Sequence, residues 1–169
     1  MMYINKGKRD ILIFPQFTNI GKIENIRKQY DELYEILPPH ITLAFPFESS
    51  MSNDELKNRL MQVSKSLAPF EIIMSGVSLH EDKKANTNYI FLDVMSGVKE
   101  LKMLHNKIYE TVLEHQTNFE YIPHITLGTI EKDHIEFELN DVFKTVITKI
   151  SIEEIGENEE SNVIFEINL

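Results

Sequence analysis

The chain has 169 residues, 42% of them hydrophobic and 26% charged, which excludes a disordered tail or a fibre and suits one globular domain with a sizeable core. It has no cysteine, so a disulfide framework, a thiol nucleophile and a thiolate metal site are excluded and a reducing, cytoplasmic setting is favoured. With 17 Lys+Arg against 27 Asp+Glu the net charge is −10, a surface that repels long polyanions such as duplex DNA but does not bar a small phosphate ester from a local pocket.

Taken in chain order, Ile11-Leu12-Ile13-Phe14 is a short apolar run closed by Pro15 and reads as a buried strand. From Ile20 the period changes. Ile23, Ile26, Tyr30, Leu33 and Leu37 recur at three and four, which predicts one helix ended by Pro38-Pro39. A strand is expected at Ile41 to Phe45. Ser52-Asn53-Asp54-Glu55 is a capping box, opening a helix that turns Leu56, Leu60, Val63 and Leu67 inward until Pro69. Phe70 to Leu79 and Asn88 to Val94 read as a hairpin with a polar tip. Ser96-Gly97 opens a helix with Leu101, Leu104, Ile108 and Val112 on its inner face. Glu120 to Leu127 and Val146 to Ile152 read as strands, Glu153 to Asn162 as an acidic solvated turn, and Val163 to Ile167 as a last strand. No apolar run approaches the roughly 20 residues of a membrane span. Met1 to Asp10 lacks the apolar segment and cleavage site of a secretory signal, so neither membrane attachment nor export is expected.

One repeat stands out. Residues 39–43 and 123–127 both read Pro-His-Ile-Thr-Leu, 84 positions apart. Each copy follows an expected helix and begins an expected strand. The inference is an internal duplication: a single domain, 1–169, of two lobes related by a pseudo-twofold with one His-x-Thr motif in each. Side chains at i and i+2 of a strand share a face. His40 therefore projects with Thr42, and His124 with Thr126, while Ile41, Leu43, Ile125 and Leu127 face the core. Proline at the strand start is tolerated because no ladder bond is needed from its nitrogen.

Two such pairs fit the needs of a phosphodiester. An imidazole titrates near neutrality, so one can take a proton from an attacking water or hydroxyl while another delivers one to the leaving oxygen. Two threonine hydroxyls can donate to the non-bridging oxygens. This logic requires no metal and no nucleotide cofactor. A metal hydrolase would need histidines and carboxylates at ligand spacing, and Asp133-His134 and His80-Glu81 are isolated neighbours. No glycine-rich phosphate loop is present.

The doubled His-x-Thr motif resembles the two-histidine (2H) phosphoesterase superfamily, which includes the 2′-5′ RNA ligase (LigT-like) proteins. The stretch Ile26-Arg27-Lys28-Gln29-Tyr30-Asp31 leading into Leu37-Pro38-Pro39-His40-Ile41-Thr42-Leu43, with the early Phe14-Pro15, is similar to its YjcG-like phosphoesterase branch. The resemblance implies an α+β, bilobal fold with two antiparallel sheets facing a central groove and helices outside. It implies action on 2′,3′-cyclic phosphates or 2′-5′ linkages in a small nucleotide or a short RNA end, with His40 as proton donor and His124 as base. Many members place an arginine shortly after a motif; here Ala44-Phe45-Pro46-Phe47 and Gly128-Thr129-Ile130 follow instead. Lys6, Lys8 and Arg9 are left as possible sources of charge, against a solvated terminus. Phe45, Phe47, Tyr89 and Tyr121 lie near the motifs, with core packing the expectation for the phenylalanines. His80, His105, His115 and His134 are read as structural or exposed. A monomer is expected, because both motifs lie in one chain. The alternative is a protein that binds a nucleotide or phosphoester in the same groove without turning it over.

Overall fold

A computed structural model describes residues 8–169. Its strands form one antiparallel sheet of eight, in the order β6-β3-β4-β5-β2-β1-β7-β8. They are β1 (Lys8–Ile13), β2 (Ile41–Phe47), β3 (Phe70–Asp82), β4 (Thr87–Ser96), β5 (His124–Ile130), β6 (Phe143–Ile147), β7 (Lys149–Ile155) and β8 (Ser161–Asn168). Three helices, α1 (Gly21–Tyr30), α2 (Asn53–Ser64) and α3 (Val98–Lys107), complete the α+β architecture. The two sheets expected from the resemblance are two four-stranded halves, joined by β2 and β5 at the single residue pair Ile41–Ile125. The sheet is strongly curled. Only Thr148 separates β6 from β7, although five strands lie between them in hydrogen-bonding order.

The core lies on the helix side. Ile23 and Ile26 of α1 and Leu101 and Leu104 of α3 pack with Ile41, Leu43, Ile125 and Leu127 in one buried cluster. The alternation of β2 and β5 therefore turns their histidines and threonines to the opposite face. At Gly128 the backbone has φ +141°, and a side-chain carbon there would collide with the carbonyl of Tyr30, so the C-terminus of α1 sits directly on β5.

Five elements depart from the sequence reading. The first helix stops at Tyr30 rather than at Leu37, because Asp31 turns extended and its Oδ1 accepts from Leu33 N at 2.9 Å. The third helix ends in a π-helical turn, Ile108–Leu113, which keeps Ile108 and Val112 buried. The strand expected from Glu120 begins only at His124, since Pro123 has no N–H to give a ladder. The single strand expected at Val146 to Ile152 breaks at Thr148 into two that serve opposite halves, β6 on β3 and β7 on β1. The acidic turn is also shorter than read: Glu153 is a buried residue of β7. The helix start at Ser52 is found as read, with Ser52 Oγ accepting from Glu55 N at 3.1 Å.

Candidate active site

The two Pro-His-Ile-Thr-Leu segments meet where the halves of the sheet join. Antiparallel pairing of Ile41 with Ile125 puts equivalent residues about a local twofold. Continued by one residue, the register faces His40 toward Thr126 and Thr42 toward His124. All four side chains are half-buried.

Each histidine is fixed the same way. His40 Nδ1–H donates to the Pro38 carbonyl at 2.9 Å, and His124 Nδ1–H donates to the Ile122 carbonyl at 2.6 Å. The intervening prolines explain the repetition. A residue before proline is held extended, which returns its carbonyl to the ring two positions on. Both neutral imidazoles then carry hydrogen on Nδ1 and leave Nε2 as the free base. On His124 that nitrogen accepts from the Thr126 hydroxyl at 3.2 Å. Burial lowers the pKa of both rings. His124 falls to about 4, chiefly through desolvation, which its bond to Ile122 opposes and the fields of His80 and His40 reinforce. His40 is lowered by burial, with its bond to Pro38 opposing.

Arg27 supports the His40 side. It is fully buried, pairs with Glu24 at 2.7 Å and Asp31 at 2.8 Å, and donates to the Leu37 carbonyl at 2.6 Å. It thus ties the end of α1 to the segment that leads into Pro38-Pro39-His40.

Of the rest of the site face, the sequence points only to Tyr89. Cross-strand registers place Asp93 opposite His124, Phe91 opposite both Thr126 and Ser78, and Tyr89 opposite His80. The Phe91 ring stacks on His124 with centroids 3.4 Å apart and on His80 at 4.2 Å. Ser78 Oγ donates to Asp93 Oδ1 at 2.7 Å and accepts from His80 Nε2–H at 2.9 Å. His80, read as structural or exposed, is therefore a third histidine of the site face. The signal was present as period-two alternation, Ser78-x-His80 and Tyr89-x-Phe91-x-Asp93, but only the register brings it to His124.

On the other side, Leu12 of β1 lies opposite Thr42, and Asp10 two residues back faces Glu153 of β7. A cavity of about 750 Å³ opens here, with His40, Thr42 and Asp10 in its lining. Lys8 borders it, whereas Arg9 turns away to Asn53 Oδ1 at 2.9 Å and the Met51 carbonyl at 2.8 Å, over the Phe47 ring. Lys6 lies outside the described residues. Among the aromatics, Tyr89 is on the site face. Phe45 packs edge-on against Phe119. Tyr121 is buried away from the face, stacked on His105 at 3.9 Å and donating to the Thr42 carbonyl at 2.8 Å. His105 is structural, bonded to the Leu43 carbonyl, and His115 and His134 are on the exterior.

Comparison with known proteins gives the chain its family. Residues 15–152 match the family model described as the 2′-5′ RNA ligase superfamily. The chain belongs to this superfamily, the 2H phosphoesterases. It is 33% identical over 131 residues to a protein of Oceanobacillus iheyensis named "Putative phosphoesterase", covering 77% of this chain and 74% of that one. A Bacillus licheniformis protein of the same designation is 32% identical over 142 residues, 82% of this chain and 79% of its own. Among solved structures, apo LigT of E. coli superposes with a TM-score of 0.66 at 14% identity, covering 96% of this chain and 97% of LigT. Family membership supports an enzyme. Among the described residues no helix is long and apolar enough to cross a membrane.

Proposed function

We propose that the chain is a metal-independent phosphoesterase that opens 2′,3′-cyclic phosphate or 2′-5′ phosphodiester bonds, or forms them in reverse, in a small nucleotide or short RNA end. His124 serves as base, His40 as acid, and Thr42 and Thr126 hold the phosphoryl oxygens. The observation that carries the reading is the antiparallel crossing of the two motifs, with both Nδ1 atoms anchored to a backbone carbonyl and both Nε2 atoms left to exchange a proton. We read the chain as one cytoplasmic domain of two duplicated lobes that works as a monomer, since one chain supplies both motifs. E. coli LigT has been solved with 3′-AMP, ATP and phosphate, which supports a small nucleotide ligand.

The steps follow from the tautomers. A water oxygen attacks phosphorus while His124 Nε2 takes its proton, and the imidazolium is held by the Ile122 carbonyl. The bond from phosphorus to the leaving ribose oxygen breaks as His40 Nε2–H protonates that oxygen. The two threonine hydroxyls donate to the non-bridging oxygens, where negative charge concentrates. Thr126 must turn from His124 to the phosphate to do so. The low pKa of His124 suits the base, which must arrive unprotonated. His40 must arrive protonated, and the phosphate anion supplies the counter-charge that burial removes.

The test is turnover of 2′,3′-cyclic nucleotides and 2′-5′ dinucleotides in EDTA. The expected result is hydrolysis that survives the chelator and is lost with His40→Ala or His124→Ala. Activity that appears only when metal is restored would overturn the mechanism. Binding without turnover of any member would favour a non-catalytic nucleotide binder.

A further inference from the structure

The cavity beside His40 has an unexpected charge for a phosphoester site. Its lining carries Asp10, Glu48, Glu154, Glu157 and Glu159, with Lys8 the one lysine or arginine among the described residues that border it. Such a wall repels phosphate, so it is built for another part of the ligand. Asp10 makes the same point from inside. It is 6% exposed and edges the cavity, and it faces Glu153, which is 2% exposed. Apart from a proton shared between the two acids, neither Asp10 Oδ1 nor Glu153 Oε1 meets a donor from the described protein. Buried polar atoms without donors are costly and rare in folded proteins. Leu33 and Ile36, both exposed, line the cavity as well and offer an apolar surface to a flat group.

We propose that this cavity is the subsite for a nitrogenous part of the substrate, one that presents N–H donors to the acidic wall, with Asp10 meeting it as a carboxylate once the shared proton rests on Glu153. The amino and imino edge of guanine is the closest match, because two adjacent N–H groups meet one carboxylate in parallel. An alkylammonium group shares this chemistry and is the other source. Uracil, with one N–H between two carbonyls, fits poorly. The inference rests on the phosphoesterase reading, because it takes the phosphate to lie between the two histidines, and it names which substrates that site selects.

The test measures binding without turnover, by calorimetry with 3′-GMP, 3′-UMP, phosphoethanolamine, ethyl phosphate and inorganic phosphate. Wild type is expected to hold 3′-GMP about tenfold or more tighter than 3′-UMP. Asp10→Asn keeps the shape and can donate to Glu153. It should bring the two nucleotides within about threefold while inorganic phosphate binds as well or better. Glu154→Gln, on the exposed rim, should reduce the preference in the same direction without touching the buried pair. Phosphoethanolamine bound tighter than ethyl phosphate, with that advantage lost in Asp10→Asn, would identify the ammonium source. Equal binding of 3′-GMP and 3′-UMP with no phosphoethanolamine advantage would overturn the proposal, as would a preference unchanged in both variants. Cyclic-nucleotide turnover in the same buffers separates the two readings. Turnover without base selection leaves the phosphoesterase standing and removes the subsite. Selective binding without turnover does the reverse.

Discussion

The two halves of the site carry the same five residues, yet the histidines live in different surroundings. His124 sits in a stack, parallel to Phe91 and within the field of His80, with Asp93 and Ser78 holding His80 in place. His40 has one edge contact with Phe14 and otherwise borders a wide acidic cavity, its approach held by Arg27. The identical i−2 anchor makes both rings present Nε2, so the motif alone creates a symmetric pair. The surroundings break the symmetry. A desolvated ring beside two other imidazoles resists protonation and is a ready base. The His40 ring is lowered by burial and by the Arg27 charge, with its Pro38 bond and Asp31 opposing, and an arriving phosphate would favour its proton. On the proposed mechanism, the repeated motif supplies the two groups and the divergent neighbours assign the roles.

Several substitutions would break or sharpen that contrast. Removing either imidazole, His40→Ala or His124→Ala, should lower kcat on 2′,3′-cyclic nucleotides by about 10² or more, with binding of a 3′-nucleotide changed only modestly. Arg27→Met leaves Glu24 and Asp31 without their partner and frees the segment before His40. Loss of a buried pair of this kind costs about 3–5 kcal/mol, read as a lower urea midpoint. Thr42→Ala and Thr126→Ala should each cost about tenfold or more in kcat. Thr126→Ala should also alter the titration of His124, followed by NMR, whereas Thr42→Ala should not.

The contrast should also appear in pH dependence. With His124 titrating at about 4 and His40 below its ordinary value, kcat/KM should follow a bell whose maximum lies on the acid side of neutrality. A maximum above pH 8 would contradict the assignment. Stability has a pH dependence of its own at Asp10. Burial and the facing Glu153 raise the Asp10 carboxyl to about 8. A raised pKa gives a contribution that is complete below the unfolded value, about 4, and is lost as pH rises through about 8. Asp10→Asn escapes that loss, so its melting temperature should gain on wild type between pH 5 and pH 9.

The parts of this site legible in the sequence were those carried by local pattern. The repeat exposed His40, Thr42, His124 and Thr126, because period two and a preceding proline are enough to place them. What escaped depends on pairing between distant strands. His80 and Phe91 are ordinary strand residues until β3, β4 and β5 register. Asp10 and Glu153 come from opposite ends of the chain, and each alone reads as a solvated charge beside a strand. The first helix was overextended because Leu33 and Leu37 continue the apolar period. Its true end is set by Arg27 drawing in Asp31 and the Leu37 carbonyl, an interaction no periodicity records. The break at Thr148 has no glycine or proline to announce it and is imposed by the two halves competing for adjacent strands.

The division of labour between the histidines is tested most directly by the leaving group. Wild type, His40→Ala and His124→Ala would be compared on a 2′,3′-cyclic nucleotide and on a diester whose leaving group is p-nitrophenolate, which departs without a proton. The account predicts that His40→Ala recovers most of its lost rate on the p-nitrophenyl diester while His124→Ala stays impaired on both. Recovery by His124→Ala, or no recovery by either, would contradict it.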